Sequence, residues 1–389
     1  MTQLVGTLSL LVHSAPTSSV SAELFEFGQT AKVNNSTELV VNRSSVGETV
    51  LREVSAADLA PDHIRMEIER FALTSNNMTY AQFGAQLDYW GFFPTELPWG
   101  NVPAMGWGRV TESNVTGVAV GERFYGWFPM ATSVDILATP VPIGVRDDGA
   151  HRANHAAVYR MFTRSDLDGL YTTAEDEDRH SLLRGLFLTG FLVDGFFGAA
   201  SYNDATQAIV LSASSKTALG FAHSAKGRDL QLIGLTSASN KAFVEGVGLY
   251  DIVLSYDETE QIPLEPSVVI DMAGSGSVVS AVHERLGDRI TYSMGVGKSH
   301  HDAPSAKVTA GPRPQTFFAP TAAGDRVQEW GIDGYQRRIK DALSSFIDDS
   351  RRWLEIDERR GPEAARATWA SLFAGTVAPS TGLIVSMHD

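Results

Sequence analysis

The chain has 389 residues, 43% of them hydrophobic, and no cysteine. That apolar content over that length supports two buried cores rather than a disordered or fibrous chain, and the missing thiols exclude disulfides, thiolate metal ligands and a cysteine nucleophile. With 31 Lys plus Arg against 46 Asp plus Glu, the formal charge of −15 argues against nucleic acid or an anionic membrane surface as main partner, so an anionic ligand needs a local basic pocket.

The opening segment Met1–Val12 is apolar but lacks Lys and Arg, and His13–Ser19 does not complete a secretory pattern, so a cytoplasmic protein is expected. From Leu4 to about Val145 short apolar runs alternate with turn residues: Thr37–Val41, His63–Phe71, Gly108–Glu112, Arg123–Trp127 and Asp135–Ala138. Their Val, Ile, Phe and Tyr content predicts a barrel-like all-β unit. Arg146–Arg184 is polar and charged, and its acidic run Glu175–Asp178 reads as a solvated loop or a helix start. Leu186–Ala200 is strongly apolar, but Thr189, Gly190, Asp194 and Gly195 interrupt it, which falls short of a membrane span.

From Ala208 strand and helix patterns alternate. Ala208–Ser212, Leu230–Leu235, Asp251–Leu254, Val268–Asp271 and Arg289–Met294 read as strands, with helical spacing in Lys216–Lys226, Ser239–Val247 and Ser277–Leu286. Such alternation predicts a parallel sheet covered on both faces. After a polar stretch to about Ala323, the apolar residues Ile332, Tyr335, Ile339, Leu343, Phe346 and Ile347 predict an amphipathic helix. A second helix is expected from Pro362 to Gly375, and a last strand over Gly382–Met387.

The ligand crevice of such a sheet lies where its first strand meets its helix. There the chain reads Ser212, Ala213, Ser214, Ser215, Lys216, Thr217. This is not Gly-x-Gly-x-x-Gly, but small residues let backbone amides approach a pyrophosphate, and the hydroxyls and Lys216 add donors; an ordinary Ser-rich helix cap has the same composition. The second strand ends in Thr236 and Ser237 with Lys241 beyond and no carboxylate. Hydroxyls and an ammonium suit a 2′-phosphate, so NADP(H) is favoured over NAD(H).

These stretches, Ala208–Gly220, Leu232–Asp257 and Val268–Gly297, resemble the nucleotide-binding half of the medium-chain dehydrogenase/reductase superfamily, in particular its zinc-free, quinone-reductase-like branch. Ser212–Lys216 is similar to the branch's Ser-Ala-Ala-Ser-Gly turn, and Gly234–Lys241 to its Gly-x-Thr-Ser-x-x-x-Lys stretch. Ile68–Gly84, Gly106–Val110 with Gly121–Phe124, and Leu186–Phe197 resemble the family's active-site strand and loop, its Gly-x-Gly-x-Val and Gly-Asp-Arg-Val elements, and its Leu-Thr-Ala helix. Within the superfamily the chain looks closest to an uncharacterised bacterial domain-of-unknown-function group.

The resemblance implies an α/β fold: a GroES-like β-barrel catalytic domain over residues 1–195 and 320–389, with 146–184 as an insertion, and a Rossmann-type doubly wound domain over 196–319. It implies hydride transfer between NADP(H) and a carbonyl, or an alkene conjugated to one, in the interdomain cleft. Ser75, Ala104 and Met105 stand where zinc-dependent members carry Cys, His and Glu, so no metal is expected. The loop pair His300 and His301 with Asp302 is read as polar surface.

Tyr80 is the candidate proton donor, with aromatic packing as its alternative; Asn76 and Asn77 are candidates to orient a substrate carbonyl, with turn chemistry as theirs. Asp194, in an apolar helix, is either a titrating group or a paired structural carboxylate. Thr189 and Gly295 join the cofactor set, and pairing through the sheet edge Arg289–Met294 implies a homodimer. A non-catalytic NADP(H)-binding sensor or partner, and a lyase or isomerase, remain alternatives.

Overall fold

The computed structural model describes residues 35–168, 173–272, 276–296 and 308–389. The opening apolar segment and the pair His300 and His301 with Asp302 lie outside them. The first half runs β1 (Asn35–Asn42), β2 (Ser45–Ser55), β3 (His63–Leu73), α1 (Ser75–Gln82), β4 (Trp99–Gly100), β5 (Pro103–Ser113), β6 (Arg123–Pro129), β7 (Ser133–Val141), β8 (Gly144–Asp147), α2 (Ala157–Arg160), β9 (Met161–Arg164), α3 (Ser165–Asp168) and α4 (Ala174–Ala199). Next come β10 (Gln207–Leu211), α5 (Lys216–Ser224), β11 (Gln231–Thr236), α6 (Lys241–Val247), β12 (Ile252–Ser255), β13 (Ser267–Asp271), α7 (Gly276–Leu286), β14 (Ile290–Gly295) and β15 (Gln315–Thr316). The chain closes with α8 (Ala319–Ser350), β16 (Glu355–Arg360), α9 (Pro362–Phe373) and β17 (Thr381–Ser386).

Strands β3, β5, β6, β9, β8 and β7 pair in that order, and β7 returns to β3, so the ring closes as an antiparallel barrel. Along β3 the buried Ile64, Met66 and Ile68 alternate with their neighbours at period two, which points one face inward onto Phe124, Phe128 and Phe162. Each of the five apolar runs of the amino-terminal half falls inside one strand. Within 146–184, β9 and the end of β8 take part in this barrel, and the two strands supply two of its six ring members. Strands β17 and β16 extend the sheet beyond β3, while β2, β1 and β4 form a separate small sheet.

The parallel sheet has order β12-β11-β10-β13-β14-β15. Every residue of β10 and β13 is buried, as strands covered on both faces require. One core, with Val210, Phe187 and Phe346, fills one side, and a second, with Ile209, Val269 and Val282, fills the other. The expected edge strand β14 is the penultimate one, since β15 pairs with its last two residues, Met294 and Gly295.

Helix α4 ties the two sheets together. Its acidic run is a helix start, not a solvated loop: the Thr173 hydroxyl accepts from the Asp176 amide, and Glu175, Asp176 and Glu177 sit at the positive end of the helix dipole. Gly190 lets α5 approach, because a Cβ there would lie 2.4 Å from the Phe221 nitrogen and 2.6 Å from the Thr217 carbonyl oxygen. By length and composition α4 is apolar enough to cross a membrane. Here its Leu183, Phe187, Val193 and Phe197 are buried in the protein core.

Candidate active site

Ser75–Tyr80, expected as a loop, is the first turn and a half of α1. A capping box starts it: the Thr74 hydroxyl accepts from the helix amides, and Asn77 Oδ1 accepts from the Thr74 nitrogen at 2.8 Å. Asn77 is buried, and its Nδ2 donates to the Pro103 carbonyl at 3.0 Å. Both ends of that amide are therefore spent on backbone, which anchors α1 to β5.

The helical spacing of four puts Asn76 and Tyr80 on one face, where Asn76 Nδ2 donates to the Tyr80 phenol oxygen at 2.5 Å. The Tyr80 ring packs against Tyr89 and Trp127, with centroids 4.5 and 5.4 Å apart. Burial pushes its phenol well above the ordinary 10, so the hydroxyl stays protonated. Both residues line a pocket closed by Thr74, Met105 and Trp127 on one side and by the α4 residues Ser181, Leu182, Gly185 and Leu186 on the other. At about 20 Å³ it has room for one water.

Thr189 continues the same α4 stripe one turn beyond Gly185, to whose carbonyl its hydroxyl donates at 3.1 Å. Asp194 lies farther along and away from the pocket: it accepts from the Tyr202 hydroxyl at 2.5 Å and from Arg228 Nη2 at 2.7 Å. It is a paired carboxylate that ties α4 to the link into β10.

The remaining residues collect at the carboxyl ends of the parallel strands, where β11 and β13 leave β10 on opposite sides. Ser212 takes a left-handed turn (φ 57°), and the Ser215 hydroxyl caps α5 by accepting from the Ala218 amide at 3.2 Å. Ala213 is buried and its amide donates to Leu235; Ser214 Oγ accepts from Thr236 and from Asn240, each at 3.2 Å. The Ser237 hydroxyl meets that of Ser239, and among the described residues no atom would touch a Cβ added at Gly295. Thr217 opens α5 beside Gly190 of α4.

Lys216 points elsewhere. Its ammonium donates to the Pro379 and Thr381 carbonyls at 3.2 and 3.1 Å, joining α5 to the start of β17, and burial pulls it down to about 8.

Two residues that local motifs did not single out enter the crevice. The Tyr256 hydroxyl lies 3.3 Å from Ser212 Oγ, and Glu258 binds Lys241 at 2.6 Å. A second, open hollow of about 400 Å³ is ringed by Glu69, Arg70, Arg109, Arg123 and Glu177, all of them paired with one another. No group of three or more potential metal ligands occurs among the described residues.

Residues 71–378 match the family described as protein of unknown function (DUF2855). The chain belongs to the DUF2855 family. No curated protein matches it in sequence. Among solved structures it is similar to CurA of Vibrio vulnificus in complex with NADPH, at 11% identity and a TM-score of 0.59, over 91% of this chain and 99% of that one. It is also similar to a mutant of Etr1p crystallised with NADP and crotonyl-CoA, at 11% identity and a TM-score of 0.55, over 90% and 99%. A third likeness is to an Escherichia coli oxidoreductase/dehydrogenase of unknown specificity, at 11% identity and a TM-score of 0.54, over 91% and 100%. At this identity the likeness shows the fold alone, a barrel plus a parallel sheet shared with these structures.

Proposed function

We propose that the chain is a zinc-independent, NADPH-dependent oxidoreductase that reduces a carbonyl, or an alkene conjugated to one, in the pocket beside Tyr80. The observation that carries this reading is the Asn76–Tyr80 pair in a small pocket whose α4 wall leads to the turn before α5. The solved neighbours with NADPH or NADP bound support the cofactor.

The residues present fit NADP(H). The cap on Ala218 leaves the amides of Lys216 and Thr217 at the positive end of α5 for phosphate oxygens, with Ser214, Ser237 and Lys241 toward the ribose end. When bound, the nicotinamide supplies hydride. Tyr80 holds a proton that it donates to the oxyanion developing on the substrate carbonyl, and the Asn76 amide steadies the phenol oxygen as that proton leaves. Trp127, Met105 and Leu182 keep water out. We place the catalytic domain over residues 1–195 and 320–389 and the nucleotide-binding domain over 196–319, and expect a cytoplasmic homodimer.

A second reading, cofactor binding without turnover, is favoured by the size of the Tyr80 pocket, which at about 20 Å³ has room for one water. One variant separates the two. Tyr80→Phe keeps the ring packing and removes the hydroxyl, so NADPH consumption with a quinone, enone and aldehyde panel should fall roughly 10²–10⁴-fold while NADPH affinity and Tm hold. Undiminished turnover removes Tyr80 from the chemistry. NADPH protection against unfolding with no substrate in the panel reduced supports the second reading.

A further inference from the structure

No carboxylate among the described residues pairs with the guanidinium of Arg184, which stands beside the pocket. Among the described residues Arg184 makes no ion pair and no hydrogen bond; its charged end lies 5.3 Å from the centre of the Tyr125 ring. Arg43, Arg289, Arg313, Arg337 and Arg338 also lack an ion pair among the described residues, but none of them lies on an element that lines the pocket. Arg65, Arg70, Arg123, Arg179, Arg228 and Arg351 all hold acidic side chains, and acids outnumber bases by 46 to 31.

Arg184 does not itself line the pocket but is linked to it through its neighbours. Arg184 belongs to the turn of α4 whose Ser181, Leu182, Gly185 and Leu186 form the pocket wall opposite Tyr80. The Tyr125 hydroxyl beneath it donates to the sulfur of Met105 at 3.1 Å, and Met105 is itself a pocket residue. Gly185 lets Met105 pack closely against α4, since a Cβ there would lie 2.8 Å from the Met105 methyl. Helix α8 carries Tyr335, whose half-buried phenol has no hydrogen-bond partner among the described residues. The two are close enough that the Arg184 charge opposes the upward push of burial on that phenol. A fixed guanidinium and a spare hydroxyl make a donor set for the oxygens of an anion, and in an acidic protein such a cation is the local attraction that an anionic ligand requires.

We propose that Arg184, aided by Tyr335, anchors an anionic group, a carboxylate or a phosphate, carried by the substrate at the end away from the reacting carbonyl. The inference rests on reduction in the Tyr80 pocket. It makes Arg184 a specificity residue: the anion fixes which end of the substrate meets Tyr80.

The test is a binding titration of the full chain, with and without NADPH, against benzoylacrylate and its methyl ester. With no cysteine in the chain, these enones cannot be trapped by a thiol. The acid should bind at least about tenfold more tightly than the ester, a gap of 1.4 kcal/mol. Arg184→Gln should erase that gap, Arg184→Lys should restore part of it, and Tyr335→Phe should narrow it, with ester and NADPH affinity unchanged throughout. Displacement of the acid by inorganic phosphate at lower concentration than by acetate identifies the group as a phosphate; the reverse order identifies a carboxylate.

Equal binding of acid and ester by the unaltered chain, binding of neither, or equal weakening of both by Arg184→Gln overturns the proposal. Because the readout is binding, an acid held through Arg184 but never reduced would refute the reduction and keep the anion site.

Discussion

Glu258 reaches Lys241 from beyond the end of β12, a place that the local pattern around Lys241 does not cover. Its carboxylate accepts from Lys241 at 2.6 Å and from the Ser255 amide and hydroxyl, each at 2.8 Å. Lys241 first, then these hydrogen bonds, hold the carboxyl down at about 2. Its folded value is depressed, so its stabilisation is complete above the ordinary 4.5 and is lost as pH falls toward 2; at working pH it is an anion. A 2′-phosphate must share Lys241 with this carboxylate, and a ribose hydroxyl would find in it an acceptor. Glu258→Gln keeps the shape and removes the charge. NADPH affinity should then rise about tenfold with NADH affinity little changed, in direct titrations of each. Loss of NADH affinity with NADPH unchanged would make Glu258 the ribose partner and reverse the cofactor preference read from Thr236, Ser237 and Lys241.

Helix α4 carries both the pocket wall and a proton-linked stability switch. His180 is fully buried, its ring 4.6 Å from that of Tyr125 and 6.3 Å from that of Trp107. Burial first, and then the Arg184 charge, hold the imidazole well below its ordinary 6.5. The unfolded chain therefore takes up a proton near pH 6.5 that the folded chain refuses, and stability falls as pH drops below that value. His151, His223 and His283 are lowered by burial too and act in the same direction. The urea midpoint should be lower at about pH 5.5 than at about pH 7.5, and His180→Phe, which keeps a ring among rings, should shrink the difference. A midpoint that holds steady across this range would mean that His180 is protonated in the folded protein.

The same elements show what the sequence made legible. Strands with one buried face, and the fully buried β10 and β13, announce themselves by apolar pattern. Strands β2 and β16 do not, because Ser45–Ser55 and Glu355–Arg360 are mostly exposed or half-buried and carry charge where a core strand would alternate. The start of α1 was hidden because Thr74 and Asn77 are turn formers as well as capping residues. Between α4 and β10 four consecutive residues, Ser201, Tyr202, Asn203 and Asp204, adopt positive φ with no glycine to signal it. The pair Asn76 and Tyr80 was visible as a candidate from resemblance. Arg184, Tyr256 and Glu258 were not, since each acquires its meaning from a partner brought by a separate element.

At the scale of the molecule, the two sheets end differently. The barrel sheet stops at β16, whose Asp357–Arg359 and Glu358–Arg360 pairs cover the edge with charge. The parallel sheet stops at β15, two exposed residues that pair only with Met294 and Gly295. Along the rest of β14, Ile290 to Ser293, no outer strand pairs among the described residues. Beside this edge stands Phe318, 60% exposed just after β15. Unpaired backbone groups next to exposed apolar surface are a template for another strand, and a second copy related by a two-fold axis satisfies both edges at once. A stable dimer of this kind buries roughly 1,200–2,000 Å², enough to cover the aromatic as well as the strand. Light scattering at micromolar concentration should give twice the chain mass. Phe318→Glu should halve it while NADPH binding and secondary structure persist, since Phe318 touches neither the crevice nor a core in the single chain. A single-chain mass for the unaltered protein, or a dimer indifferent to Phe318→Glu, would place the contact elsewhere and leave this edge to solvent.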